Sequence, residues 1–202
     1  MVGIIDYGVG NLFSLISSLK FLGIDAKKVS NEEEIAACDR LILPGVGAFG
    51  DAAEALKNSG LDEVIKREAK NGKPLLGICL GMQMLFEKGM EFGEHEGLGL
   101  IPGKVVSIQP LIDGNKIPHI GWNGLIFSEN KGDIYRNTKD GEFVYFVHSF
   151  HAECPDEYIT ARTEYGGLLT ASVQNGNVMG AQYHPEKSGD AGLMILKSFC
   201  EL

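Results

Sequence analysis

Cys79 stands in Gly77-Ile78-Cys79-Leu80-Gly81, a thiol with a glycine two residues to either side. The apolar run Pro74–Ile78 before it predicts a buried strand, and the Met82–Phe86 stretch after it predicts a helix. A strand-to-helix elbow holds its central residue in strained backbone angles, and side chains on the flanking positions would collide. The same elbow sets the thiol at a helix N-terminus, where unpaired N–H groups and the helix dipole favour a thiolate. Cys79 is therefore the candidate nucleophile. The competing reading is a structural cysteine between two packing glycines. Cys38, Cys154 and Cys200 lack such surroundings and read as core or surface thiols.

A thiol nucleophile needs a base, and five histidines are available: His95, His119, His148, His151 and His184. His184 precedes Pro185, which pushes it to extended geometry, so that His184 and Glu186, two residues apart, can point to one side. The carboxylate then orients one ring nitrogen while the other faces the thiol, which is the logic of a triad. Acyl chemistry also needs donors for an oxyanion. One is the backbone N–H of Leu80, directly after the nucleophile. The second is expected from the glycine-rich loop Pro44–Gly50, at the Val46–Gly47 turn, where the backbone can approach a ligand closely. As a phosphate loop this segment fails, because no Lys-Ser/Thr pair follows it. His148 and His151 form a possible metal pair without a third ligand at a sensible spacing, so no metal and no cofactor is expected.

The elements that must position these groups alternate in the first half of the chain. Strands are expected at Val2–Asp6, at the "AKKVS" run, at Arg40–Gly45 and at "KPLLGI". The helices between them begin after Asn11, which can cap a helix with Leu12, Leu15, Ile16, Leu19 and Leu22 on one face, at "EEEIAAC", after the glycine-rich loop, and in "LDEVIKREAKNG", with Gly72 beyond its end. Continuous apolar strands separated by helices indicate a parallel sheet covered on both faces. From 103 to 183 the pattern changes. Strand runs at Lys104–Gln109, Phe143–His148, Tyr158–Thr163, Leu169–Gln174 and Val178–Tyr183 are separated by "DGN", "KDGE" and "QNGN", which read as hairpin turns. A last helix is expected near Asp190–Phe199. The expected architecture is a three-layer α/β domain spanning 1–202, with a mostly parallel central sheet and an antiparallel extension.

Composition narrows the function classes. The 202 residues are 44% hydrophobic and 22% charged, with a formal net charge of −9 and acidic and basic residues interspersed. Nucleic acid and anionic membranes need a basic footprint, so neither is expected as the main partner. The N-terminal "MVGIIDYGVG" has no basic region and carries Asp6, so it does not read as a signal peptide, and no apolar run reaches the length of a membrane span. Four scattered cysteines without a CxxC pair are expected to be reduced, in a cytoplasmic protein.

Taken in order, "PGVGAFGD", "GICLGMQ", "YFVHSF" and "AQYHPEKS" closely resemble the class I (triad) glutamine amidotransferases over nearly the whole chain. "IIDYGVGN", "GLGLIPG" and "HIGWN" resemble one branch, the glutaminase subunits of imidazole glycerol phosphate synthase in histidine biosynthesis. The resemblance implies a flavodoxin-like fold and a Cys79-His184-Glu186 triad that attacks L-glutamine. It implies oxyanion donors at Leu80, Val46 and Gly47. The amino-acid end of glutamine would be held by Gly45, Gln83, Glu91 and the His148-Ser149-Phe150 backbone. Many relatives carry Tyr where this chain has Phe150, so only a backbone contact is expected there. The branch also implies a heterodimer with a separate (β/α)₈ cyclase subunit. Asn11, Trp122, Asn123 and Lys187 are the candidate docking residues. From the residues alone, a stand-alone cysteine hydrolase, a non-catalytic binding module and the glutaminase of another pathway stay open.

Overall fold

The computed structural model describes residues 1–202. The first half runs β1 (Val2–Ile5), α1 (Leu12–Phe21), β2 (Ala26–Val29), α2 (Glu32–Ala36), β3 (Arg40–Leu43), α3 (Phe49–Ser59), α4 (Leu61–Lys70), β4 (Leu75–Ile78) and α5 (Leu80–Gln83). It continues with β5 (Phe86–Gly89), β6 (His95–Glu96), β7 (Ile101–Ser107), β8 (His119–Gly124), β9 (Ile126–Phe127), β10 (Phe143–His148) and β11 (Phe150–Glu153). The chain ends in β12 (Ile159–Glu164), β13 (Leu168–Asn175), β14 (Val178–Ala181) and α6 (Gly189–Cys200). The eight-stranded central sheet has the order β2-β1-β3-β4-β14-β13-β12-β9. Its first five strands are mutually parallel, and the rest join antiparallel. This is a three-layer arrangement with an antiparallel extension.

Side-chain alternation explains why the inner parallel strands β1, β3 and β4 are apolar on both faces, whereas the edge strand β2 carries Lys27 and Lys28. Ile4, Ile42 and Leu76 enter a core with Leu15 and Leu19 of α1 and Ile195, Leu196 and Phe199 of α6. Their neighbours Ile5, Leu41, Leu43 and Leu75 enter the opposite core with Ile35, Phe49, Leu56 and Ile65. Each strand therefore contributes to two cores, and neither face tolerates a polar residue. Asn11 caps α1 by accepting from the Ser14 N–H. Gly60 takes φ 70 and separates α3 from α4.

The middle of the chain departs from the expected pattern. The helix after Cys79 lasts only from Leu80 to Gln83, and Phe86 already belongs to β5. β5 pairs in parallel with β7 and antiparallel with β6, while β7 also pairs with β11, giving a second sheet that local spacing does not disclose. Met84-Leu85-Phe86 suits either period, and non-local bonds settle it: the Met84 and Phe86 carbonyls accept from the Leu98 and Gly99 N–H groups. β8 and β10 form a separate antiparallel pair. Of the three expected hairpin turns, only "QNGN" joins paired strands, β13 and β14. "DGN" links β7 to β8 in different sheets, and "KDGE" leads into β10, whose partner is β8 rather than the preceding β9. No helix is long and apolar enough to cross a membrane.

Candidate active site

Cys79 sits between β4 and α5 with φ 55 and ψ −113. For a residue with a Cβ this backbone costs on the order of 1–3 kcal/mol and persists only where the surroundings enforce it. Here they do. The Cys79 N–H donates to the Ala181 carbonyl at 2.7 Å, pinning the elbow to β14. A Cβ at Gly77 would lie 2.5 Å from the Gly81 carbonyl oxygen, and one at Gly81 only 1.8 Å from the Leu43 carbonyl oxygen. Both glycines of the motif are thus required by close backbone approach. The helix that follows is a single turn, so the expected macrodipole reduces to its first unpaired N–H groups, Leu80 among them.

His184 lies three residues beyond β14 with extended angles, φ −100 and ψ 96. Its Nδ1 is 2.8 Å from Glu186 Oε1, and both side chains are 4% exposed. Burial by itself would lower the imidazole, but hydrogen bonds to the Cys79 sulfur and the Glu186 carboxylate outweigh it and push His184 up to about 9. A raised value means that the contribution to stability is complete below the ordinary histidine value and is lost as pH rises through about 9. Glu186→Gln removes the charge that helps hold this proton. The alkaline limb of kcat/KM, expected near the His184 value in the parent, should move to lower pH in the variant. A pH–rate series on both proteins checks this, and superimposable limbs would remove Glu186 from the triad.

A cavity of about 350 Å³ opens over the sulfur and is lined by Cys79, His184, Leu80, Val46 and Gly47, so the candidate nucleophile, candidate base and expected oxyanion donors share one space. Gln83, Glu91, His148, Ser149, Phe150 and Lys187 also line it, with Pro118 and Val147. Gln83 Nε2 donates to the Phe150 carbonyl and to Gln182 Oε1, both at 3.1 Å. Glu91 Oε2 accepts from the Phe49 N–H at 2.8 Å. It therefore caps α3, whose N-cap residue Ala48 has no side chain to do so. Gly45 differs from expectation. It does not line this cavity but packs beneath the elbow, where a Cβ would meet Tyr7 Oη at 2.8 Å and the Gly81 nitrogen at 2.9 Å. The Tyr7 hydroxyl donates to the Pro44 carbonyl at 2.9 Å, tying the N-terminal motif to the glycine-rich loop.

The four expected docking residues differ in what they present. Trp122 is 51% exposed and meets Tyr145 edge to face at 6.0 Å, so its ring is not a core residue. Lys187 is exposed at the cavity wall. Asn11 is occupied in capping α1 and borders a small cleft behind His184 and Glu186. Asn123 is turned inward: its Oδ1 faces His119 Nε2 at 2.8 Å, and its Nδ2 donates to the Glu164 carbonyl at 2.8 Å. A wider cleft of about 660 Å³ beside α3 and α4 is lined half by acids and lysines and shares only Glu91 with the site. No group of three or more His, Cys, Asp or Glu side chains is placed to hold a metal ion.

Several supporting residues carry no local sequence signal. Gln182 is fully buried and points Nε2 at the Cys79 sulfur, 3.9 Å away. Ser188 Oγ donates to the His184 carbonyl at 2.6 Å and accepts from the Tyr145 N–H at 3.0 Å, while the His184 N–H donates to the Tyr145 carbonyl at 2.9 Å. These bonds moor the His184 turn to β10. Gly192 lets α6 close on the same turn, since a Cβ there would lie 1.9 Å from the Pro185 carbonyl oxygen. Only alternation past β14 hints that Gln182 and His184 share a side.

Residues 3–201 match the family described as glutamine amidotransferase class-I. Among curated relatives, an imidazole glycerol phosphate synthase subunit HisH of Wolinella succinogenes is 47% identical over the full length of both chains. The protein of that name from Caldanaerobacter subterraneus subsp. tengcongensis is 49% identical, over 100% of this chain and 98% of its own. Among solved structures, a glutamine amidotransferase superposes with a TM-score of 0.76 at 20% identity, covering 100% of this chain and 99% of that one. A structure of PurLQS from Thermotoga maritima gives 0.77 at 23%, covering 99% and 97%. At these identities the two structures speak for the fold alone.

Proposed function

The chain belongs to the class I glutamine amidotransferases, and within them to the glutaminase subunits of imidazole glycerol phosphate synthase, and from that premise we propose how its residues hydrolyse glutamine and with whom they work. The observation that carries the reading is the shared cavity of Cys79 and His184, with Glu186 bonded to the far nitrogen of the ring. Cys79 Sγ attacks the side-chain amide carbon of glutamine. His184 takes the thiol proton and, with a value of about 9, retains it through neutral pH until ammonia departs and carries it off. The neutral imidazole then removes a proton from water, which hydrolyses the glutamyl thioester to glutamate and frees the sulfur. Leu80 and the Val46–Gly47 turn donate to the oxyanion at each addition. Gln83, Glu91 and the 148–150 backbone hold the amino-acid end, with the Glu91 carboxylate suited to the α-ammonium group and Gly45 supporting the elbow from below.

The ammonia released is the reagent of a second reaction, and at neutral pH free ammonia becomes ammonium, which is no nucleophile. The relatives of about 47–49% identity are named as subunits of a synthase, which supports a heterodimer with a cyclase subunit that consumes the ammonia, in the cytoplasm. The exposure of Trp122 and Lys187 supports a docking face around them, with Asn11 and Asn123 contributing by holding their neighbours. Glutamate release by the chain alone is expected to be feeble, and to rise when the cyclase and its nucleotide ligand are added. Equal rates with and without the cyclase would point instead to a stand-alone hydrolase.

A further inference from the structure

The proton inventory of a buried histidine pair does not balance. His119 and His148 face each other across the β8–β10 pair. His119 Nδ1 lies 3.0 Å from His148 Nε2, and both side chains are buried. The outer nitrogens are committed. Asn123 must direct its Nδ2 at the Glu164 carbonyl, which can only accept, so its Oδ1 faces His119 Nε2 and requires a proton there. His148 Nδ1 lies 2.8 Å from the Phe150 carbonyl and requires a proton as well. Two neutral rings have two protons, and both are now spent on the outer bonds. The inner contact at 3.0 Å would then set two lone pairs face to face.

We propose that His119 and His148 are positioning residues for the glutamine site, sharing a third ring proton that gives the pair one positive charge behind the Ser149–Phe150 segment. The proposal rests on the glutaminase reading and adds to it a charge that greets the α-carboxylate of glutamine. The third proton comes from solvent and sits between His119 Nδ1 and His148 Nε2, so every nitrogen of the pair has a partner. Two further observations fit a cation. His119 lies between the ring faces of Tyr165 and Phe146, at 4.0 and 4.9 Å, with interplanar angles of 21° and 20°. The Phe150 carbonyl that His148 holds also accepts from Gln83, which continues through Gln182 to the Cys79 sulfur. The pair therefore braces the segment that holds the substrate.

Other charges bear on this proton. Burial opposes it, lowering His119 and taking His148 down to about 3, with His119, His151 and His184 as like charges on the second ring. Tyr165 faces His119 from the turn after β12, and Cys79, Glu91 and Lys187 line the same cavity as His148. The third proton is accordingly the most loosely held of the three, and an arriving carboxylate tightens its hold. Binding of glutamine and of this proton should be coupled, each favouring the other.

The test has two arms. Nitrogen NMR of the histidine rings in the full chain saturated with glutamine, carried out on Cys79→Ala so that no turnover occurs, should find three protonated nitrogens in the pair. Finding two, with the bond to Asn123 or to Phe150 absent, would overturn the proposal. With the cyclase present, KM for glutamine in the parent should climb by about tenfold per pH unit once the third proton is lost. His119→Gln, whose amide N–H can donate to His148 Nε2 without a charge, should remove that slope. A packing role alone would raise KM by one factor at every pH and leave the slope, which would refute the idea. Should His119→Gln not fold, Asn123→Leu releases the outer proton of His119 to the inner contact, and the slope should vanish there too. A parent with no glutaminase activity would sink the functional reading, while the proton count would still judge the pair.

Discussion

Cys79→Ala is expected to lose glutamine-dependent synthesis by on the order of 10⁴-fold or more, since a covalent mechanism has no second nucleophile. The remaining groups cannot compensate. His184 would still hold its proton against Glu186, but nothing would form the thioester, and the cavity would offer no other side chain positioned to replace the sulfur. On the proposed pairing, the same variant should leave synthesis by the cyclase supplied with ammonium salts unchanged, because the cyclase chemistry would lie on the other chain. It should also resist labelling by an alkylating glutamine mimic. The fold should survive, and alanine even relieves nothing at the elbow, since φ 55 is as strained for alanine as for cysteine. Measuring both ammonia sources in one preparation separates loss of chemistry from loss of structure. A variant that retains glutamine-dependent turnover would remove Cys79 from the reaction.

Gly81→Ala should be the most damaging of the single-methyl additions. The new Cβ would stand 1.8 Å from the Leu43 carbonyl oxygen and 3.2 Å from the Pro44 carbonyl carbon. These are backbone atoms of β3 and its loop, and no side-chain rotation can clear them. Either the elbow lifts off β3 or β3 leaves the sheet between β1 and β4. The loss should be about 3 kcal/mol or more, against a typical domain stability of about 5–15 kcal/mol. Chemical denaturation gives the first number, and glutaminase assay gives the second effect: what remains folded should be inactive, because the Leu80 N–H and the thiol move together. Gly124→Ala is the control. Its nearest neighbour is the Gly141 carbonyl oxygen at 3.4 Å, so its midpoint should shift little. A Gly81→Ala protein as stable and active as that control would mean that the elbow is not as tight as described.

The two glycines illustrate how far a sequence motif reaches. Gly77 and Gly81 announce a crowded turn by their spacing, and the Gly81 carbonyl that crowds Gly77 is local to it, but the Leu43 carbonyl that crowds Gly81 arrives only when β3 and β4 pair. The same holds for the base. His184 and Glu186 are legible because two residues and a proline bring them together locally, and the observed 2.8 Å contact needs no long-range partner. His119 was not legible as a partner of His148, because the two are 29 residues apart and meet through strand register alone.

What the amino-acid order determined by itself was local: the elbow and its thiol, the imidazole–carboxylate pair, the caps of the early helices, and the doubly buried strands, whose two-sided apolar runs admit one architecture. The tertiary structure alone decided the rest. Phe86 became a strand rather than a helical residue because β7 offered it a ladder, and Glu91 came to cap α3 from 42 residues away. Gln182 reached the sulfur, and Trp122 stayed in solvent while Asn123 beside it turned in. Periodicity and spacing report contacts within a turn or two of backbone. Pairing between distant strands is set by which cores can be filled together, and the walls of this cavity are built almost entirely from such pairings.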